Sequence, residues 1–214
     1  MSVAAKICGL SSEAAVAAAV EGGAAWLGFV FYPPSPRAVS PARAAALCAA
    51  LPSGVERVGL FVDAEDEAIR AVLDLAPIDI LQFHGHETPD RVADAKVRFD
   101  RPVMKAIAVA ARQDVLAAAR YEEFADMLLF DAKPPRRIDA LPGGNGLAFD
   151  WHLIAGHKWR RPWMLSGGLT AALLPEAVHI SGAGAVDVSS GVENRPGDKD
   201  PDKIREFLSV ARTL

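Results

Sequence analysis

Cysteine is scarce in this chain. Cys8 and Cys48 are the only two among 214 residues, too few for a disulfide-stapled scaffold. Both thiols are expected to be reduced, in a cytoplasmic protein. Long apolar runs are missing too. Runs such as Ala14 to Val20 and Ala44 to Leu51 fall far short of the ~20 residues a membrane-spanning helix needs. No basic segment followed by an apolar one opens the chain, so no secretory signal and no membrane partner are expected. Basic charge is not in excess: the formal net charge is −4, which gives no support for a nucleic-acid partner. An anionic substrate therefore has to be held by local positive groups. Trp26, Trp151, Trp159 and Trp163 are too scattered for a stacking platform, and packing accounts for them better.

What is present describes a globular protein, 51% hydrophobic and 23% charged. Residues 1–214 read as one domain. Strand-like runs recur at Ala5–Cys8, Trp26–Phe31, Arg57–Val62, Ile78–His84, Val103–Val109, Met127–Asp131, Trp163–Ser166 and Ala185–Ser189. They are short and apolar on both faces, as buried parallel strands are. Helical periodicity lies between them. Ile69, Val72, Leu73 and Ala76 share one face, as do Ile204, Phe207, Leu208 and Ala211. Ser40-Pro41, Thr88-Pro89 and Asp200-Pro201 mark helix starts, a capping oxygen followed by a proline with no N–H to lose. Strict alternation of strand and helix implies a parallel sheet. Eight repeats in this length favour a closed (β/α)8 TIM barrel over an open sheet, and the first turn, Gly9-Leu10-Ser11, lacks a dinucleotide-binding glycine pattern. The irregular stretch from Lys133 to about Ala148 follows the sixth strand and is a candidate lid.

Chemistry in such barrels sits at the C-terminal strand ends. Two glycine turns, Ser166-Gly167-Gly168 and Ser189-Ser190-Gly191, follow strands seven and eight. Each alone reads as a tight turn. As a pair, at adjacent strand ends, they favour a phosphate site built from backbone N–H groups. Cys48 lies in an alanine-rich helical stretch and reads as an inert small hydrophobe. Cys8 ends the first strand, two residues after Lys6, so both face the same side, where an ammonium favours thiolate. Asp131 ends an apolar strand, as a cap, an ion-pair partner or an acid. Asp63 precedes Ala64-Glu65-Asp66 and reads as a cap only. His84 and His86 form an H-x-H pair, but no histidine ends strands five, six or eight, so no metal site is expected. His152, His157 and His179 read as surface residues.

In this order the segments resemble the phosphoribosylanthranilate isomerases over nearly the whole chain. The matching pieces are Lys6-Ile7-Cys8-Gly9, Gly28-Phe29-Val30-Phe31 through Ser35-Pro36-Arg37, Val58–Val62, Leu81-Gln82-Phe83-His84-Gly85 and Leu129-Phe130-Asp131. They continue with Gly143-Gly144-Asn145-Gly146, Phe149-Asp150-Trp151, Ser166–Leu169, and Val186–Glu193 followed by Pro196-Gly197 and Lys199-Asp200. Asn145 departs from the family, which usually has threonine there. The resemblance implies an Amadori rearrangement of N-(5-phosphoribosyl)anthranilate in tryptophan biosynthesis. It implies Asp131 as the acid, which must carry its proton when substrate is bound, and Cys8 as the base. An iminium formed from the substrate is the electron sink, so no cofactor is implied. Arg37 is the implied partner of the anthranilate carboxylate. Gly167, Gly168, Ser189, Ser190 and Gly191 hold the phosphate, and Lys6, Gln82, His84 and Asp187 complete the substrate-binding set. The nearest rivals are other aminoaldose isomerases, which use an aspartate where Cys8 stands, and a noncatalytic phosphate-binding barrel. The chain is expected to act as a monomer or homodimer.

Overall fold

Eight short strands pair in chain order, all parallel, and the eighth returns to the first to close a barrel. They are β1 Ala4–Cys8, β2 Trp26–Val30, β3 Glu56–Phe61, β4 Ile80–Phe83, β5 Val103–Val109, β6 Met127–Ala132, β7 Trp163–Leu165 and β8 Ala185–Val188. This is the architecture expected from the alternating pattern. The computed structural model describes residues 2–49, 51–133, 143–144 and 146–214. The candidate lid lies largely outside the described residues, as does Asn145.

The strand period of two divides each strand between two environments. Leu27 and Phe29 join the large apolar layer between barrel and helices. A separate cluster inside the barrel is made by Val58, Ile80, Met104, Ala106, Leu129 and Met164. Phe29, Phe61, Phe83 and Phe130 lie in the outer layer, almost wholly buried. Each such side chain contributes about 1.5–3 kcal/mol of burial. Above the inner cluster sit Cys8, Val30 and Leu60, at the end where the strands finish.

The helices are α1 Glu13–Glu21, α2 Pro41–Cys48, α3 Asp66–Leu73, α4 Pro89–Phe99, α5 Arg112–Ala117, α6 Leu174–Ser181 and α7 Pro201–Thr213. Ser40, Thr88 and Asp200 cap α2, α4 and α7 with their side-chain oxygens, and proline follows each. Two expectations fail. After β6 the described residues hold one 3-10 turn, Trp151–Leu153, and no α-helix. Asp63 caps nothing: Glu65 is the N-cap of α3. Asp63 instead adopts a φ of +46° and accepts from the backbone N–H of His86 at 2.5 Å, tying the β3 and β4 turns together. One element lies outside the repeat. Between β8 and α7 a small hairpin forms from β9 Glu193–Arg195 and β10 Asp198–Lys199. Among the described residues, no helix is long and apolar enough to cross a membrane.

Candidate active site

The strand ends open into one cleft with about 730 Å³ of space, part of it continuous with solvent. Cys8, His84, Asp131, Ser166 and Asp187 reach it from β1, β4, β6, β7 and β8 and the turns that follow them. Val30, Tyr32, Leu60 and Val62 make an apolar wall, and Arg37 and Gly144 also line the cleft.

Lys6 lies beneath this cleft with no exposed surface, and its ammonium meets Asp187 Oδ1 at 2.8 Å. Ser166 donates to the other oxygen, Oδ2, at 2.9 Å. Parallel register explains the pairing, because Lys6 is aligned with Asp187 across β1 and β8. Lys6, expected in the substrate-binding set, lies under the cleft and does not line it. The expectation for Cys8 also changes. Burial pushes its thiol up from 9.0; Lys6 opposes this, and Asp187 adds to it. The ammonium does not win, because the low-dielectric setting penalises the thiolate and Asp187 offsets much of the charge. Gly28 makes room for both groups: a Cβ there would sit 3.0 Å from Cys8 Sγ and 3.0 Å from Lys6 Nζ.

Across the barrel, Gln82 Nε2 lies 2.9 Å from His84 Nδ1, and His84 Nε2 lies 3.1 Å from Asp131 Oδ2. With the amide donating to Nδ1, the imidazole proton resides on Nε2 and is donated to Asp131. The Ala132 N–H donates to Asp131 Oδ1 at 2.8 Å. Gln82 is fully buried and does not line the cleft; it acts on the cleft through His84. The H-x-H pair shares no centre. His84 turns inward, while His86 is exposed and pairs with Asp63 at 3.0 Å. His152 and His179 are exposed, and His157 stacks on Trp159.

Both glycine turns open to the cleft. Gly167 and Gly168 have φ of +88° and +63°, a backbone that other residues rarely adopt. Among the described residues their N–H groups meet no acceptor. Ser189 and Ser190 line the facing side. Gly191 does not line the cleft: a Cβ there would fall 1.8 Å from the Leu169 carbonyl oxygen, so glycine permits the two turns to touch. Sequence reasoning gave no role to Glu193 and Lys199. Glu193 accepts from Arg37 Nε and Nη2, each at 2.8 Å, and Lys199 donates to Glu193 and to the Ser189 carbonyl. Burial works against the Glu193 charge, but Arg37 and Lys199 outweigh it and hold the carboxyl below its usual range.

A sequence model of the family described as N-(5'phosphoribosyl)anthranilate (PRA) isomerase matches residues 5–210. Among curated relatives, N-(5'-phosphoribosyl)anthranilate isomerase of Paracoccus denitrificans is 56% identical, over 99% of this chain and 98% of that protein. The protein of the same name from Rhodospirillum centenum is 55% identical over the full length of both. Among solved structures, phosphoribosyl anthranilate isomerase of Thermotoga maritima is 38% identical, with a TM-score of 0.87, over 99% of this chain and 100% of that one. A phosphoribosyl anthranilate isomerase in complex with reduced 1-(o-carboxyphenylamino)-1-deoxyribulose 5-phosphate is 37% identical, with a TM-score of 0.84 and the same coverage.

Proposed function

The chain belongs to the N-(5'-phosphoribosyl)anthranilate isomerase family, and on that footing we propose that Cys8 and Asp131 carry the reaction by general acid–base catalysis. The protein is an isomerase of tryptophan biosynthesis. It converts N-(5-phosphoribosyl)anthranilate to 1-(2-carboxyphenylamino)-1-deoxyribulose 5-phosphate. Asp131 gives its proton to the furanose oxygen as the bond from that oxygen to C1 breaks. The anthranilate nitrogen lone pair forms the iminium at C1. Cys8, as thiolate, takes the proton from C2, and the C–H electrons form the C1–C2 double bond while nitrogen recovers its lone pair. The enol O–H then loses its proton and C1 gains one, giving the ketose. Each positioned proton-transfer group contributes about 10²–10⁴-fold.

One observation carries this reading: a thiol and a carboxyl line one cleft from strands one and six, with both glycine turns opening into it. The phosphate is assigned to the backbone N–H groups of Gly167, Gly168, Ser189 and Ser190, with Gly191 letting the second turn close on the first, and the substrate carboxylate to Arg37. His84 steadies Asp131, and Gln82 sets the tautomer of His84. Lys6 and Asp187 bear on the thiol from below. Residues 1–214 act as one domain, as a monomer or a homodimer; a Thermotoga maritima relative is named as dimeric. The cytoplasm is the expected compartment. A steady-state assay with phosphoribosylanthranilate tests the activity, with inorganic phosphate expected to inhibit competitively. Turnover with no inhibition by phosphate would remove the glycine turns from the site.

A further inference from the structure

The hairpin of β9 and β10 is an addition to the eightfold repeat, and its buried face is made of charge. Glu193 and Lys199 stand directly opposite one another in its antiparallel register. Their side chains are 4% and 1% exposed, so the pair is removed from water. Paired ions this deeply buried need further partners to offset desolvation. Both have them. Lys199 also donates to Ser189, to its carbonyl at 2.9 Å and its Oγ at 3.1 Å. The Glu193 carboxylate takes the whole Nε–Nη2 edge of Arg37, a two-point contact that fixes the plane of the guanidinium as well as its position.

The surroundings are cut to fit this arrangement. A Cβ at Gly9 would come within 2.8 Å of Arg37 Cδ, and one at Gly144 within 2.6 Å of Arg37 Nη1. The hairpin turn at Gly197 closes on the preceding residue, where a Cβ would lie 2.4 Å from the Pro36 carbonyl oxygen. Arg37 is thus packed from behind and held along one edge. The Gly144 carbonyl accepts from Nη2 at 3.1 Å, and Nη1 meets no acceptor among the described residues.

We infer that the hairpin is the positioning device for the substrate's carboxylate: Glu193 occupies the Nε–Nη2 edge of Arg37 and the Gly144 carbonyl takes the other Nη2 proton, leaving Nη1 to the bound molecule, while Lys199 ties the Glu193 carboxylate to the Ser189 turn. This rests on the assignment of Arg37 to the anthranilate carboxylate. Glu193 and Lys199 are positioning residues; neither touches substrate. Two opposing effects decide the sign of the test. Removing the Glu193 charge raises the positive potential at Arg37, which favours an anion. It also frees a side chain whose rotamer entropy must then be lost on binding. The inference requires the second effect to win.

The experiment compares Glu193→Gln with Arg37→Ala, reading kcat and KM separately, with free anthranilate and inorganic phosphate as inhibitory probes. Glu193→Gln is expected to raise KM and the anthranilate inhibition constant about tenfold, since a charge-assisted hydrogen bond is at stake, with kcat nearly unchanged and phosphate inhibition less affected. In the Arg37→Ala background the same change is expected to add almost nothing, because Glu193 acts through Arg37. Should the stranded Lys199 charge prevent folding, Glu193→Gln/Lys199→Met removes it, leaves Arg37 as the one cation of the cluster, and is expected to show the same anthranilate defect. Tighter or unchanged anthranilate binding in the Glu193 variants, with Arg37→Ala still defective, would overturn the inference and leave the role of Arg37 standing. An Arg37→Ala protein with normal KM would overturn the role of Arg37 itself.

Discussion

The inside of the barrel and the layer between barrel and helices each hold a buried lysine and a buried cysteine, and the two sets behave differently. Inside, Lys6 and Cys8 stand two residues apart, and Lys6 meets Asp187 at 2.8 Å. Outside, Lys105 meets Glu87 at 2.9 Å between barrel and helices, and Cys48 packs in the apolar layer from α2. Burial opposes the charge on both lysines. At Lys6, Asp187 and Cys8 outweigh it and hold the proton more tightly. At Lys105 burial prevails over Glu87, and the proton is held less tightly. Lys105 spends its donors on structure, reaching the Gly85 carbonyl at 2.8 Å as well as Glu87. Glu87 in turn accepts from the backbone N–H groups of Asp63 and Gly85. The outer pair thus fastens the turns of β3 and β4, while Lys6 and Asp187 lie under the thiol proposed as the base. The lesson is that burial of a lysine or a cysteine says little alone; the side of the wall decides its use.

Replacing the inner thiol breaks the comparison most severely. Cys8→Ser keeps the shape but leaves a hydroxyl that hardly ionises near neutral pH, and kcat is expected to fall by about 10² or more with the fold intact. The pH profile of kcat/KM sharpens the same point. Burial raises the Cys8 thiol above 9.0, so the base is a minor thiolate at neutral pH. The profile is expected to carry a limb for the thiol on the alkaline side of an ordinary thiol, and that limb is expected to vanish in Cys8→Ser. A limb at or below neutral pH would contradict the assigned burial.

On the outer face the expected loss is of stability. Lys105→Met strands Glu87 without its cation, which costs about 3–5 kcal/mol when one partner of a buried pair is removed. Chemical denaturation is expected to register that loss while kcat of the folded fraction stays near the parent value. The smallest effect belongs to Cys48→Ser. Burial raises this thiol to about 11, so it stays protonated and inert, and the substitution is expected to cost about 1–3 kcal/mol for a hydroxyl poorly paired in the core with turnover unchanged. Lost turnover in Cys48→Ser alongside an active Cys8→Ser would reverse the two faces.

Much of the wall was legible in the sequence, because periodicity and helix capping are local. Alternation placed the strands, and Ser40, Thr88 and Asp200 announced three helices. Strand period also put Lys6 and Cys8 on one face. It did not reveal Asp187 as the partner of Lys6, since that pairing depends on barrel closure across 181 residues. Arg37 and Glu193 are 156 residues apart and meet only once the hairpin folds back. Asp63 misled because an acidic residue before a helical pattern resembles a cap, while its actual role needs the neighbouring turn. The segment after β6 had no strong period, and its described part forms only the turn Trp151–Leu153.

The division of labour between Cys8 and Asp131 is the central claim, and substrate deuterated at C2 tests it most directly. Cys8→Ser slows removal of the C2 proton, so that step is expected to limit turnover and show a large primary isotope effect on kcat. Asp131→Asn slows ring opening, which breaks no bond to that hydrogen, so its isotope effect is expected to fall toward unity. The opposite pattern, a large effect in Asp131→Asn and none in Cys8→Ser, would contradict the account by exchanging the acid and the base.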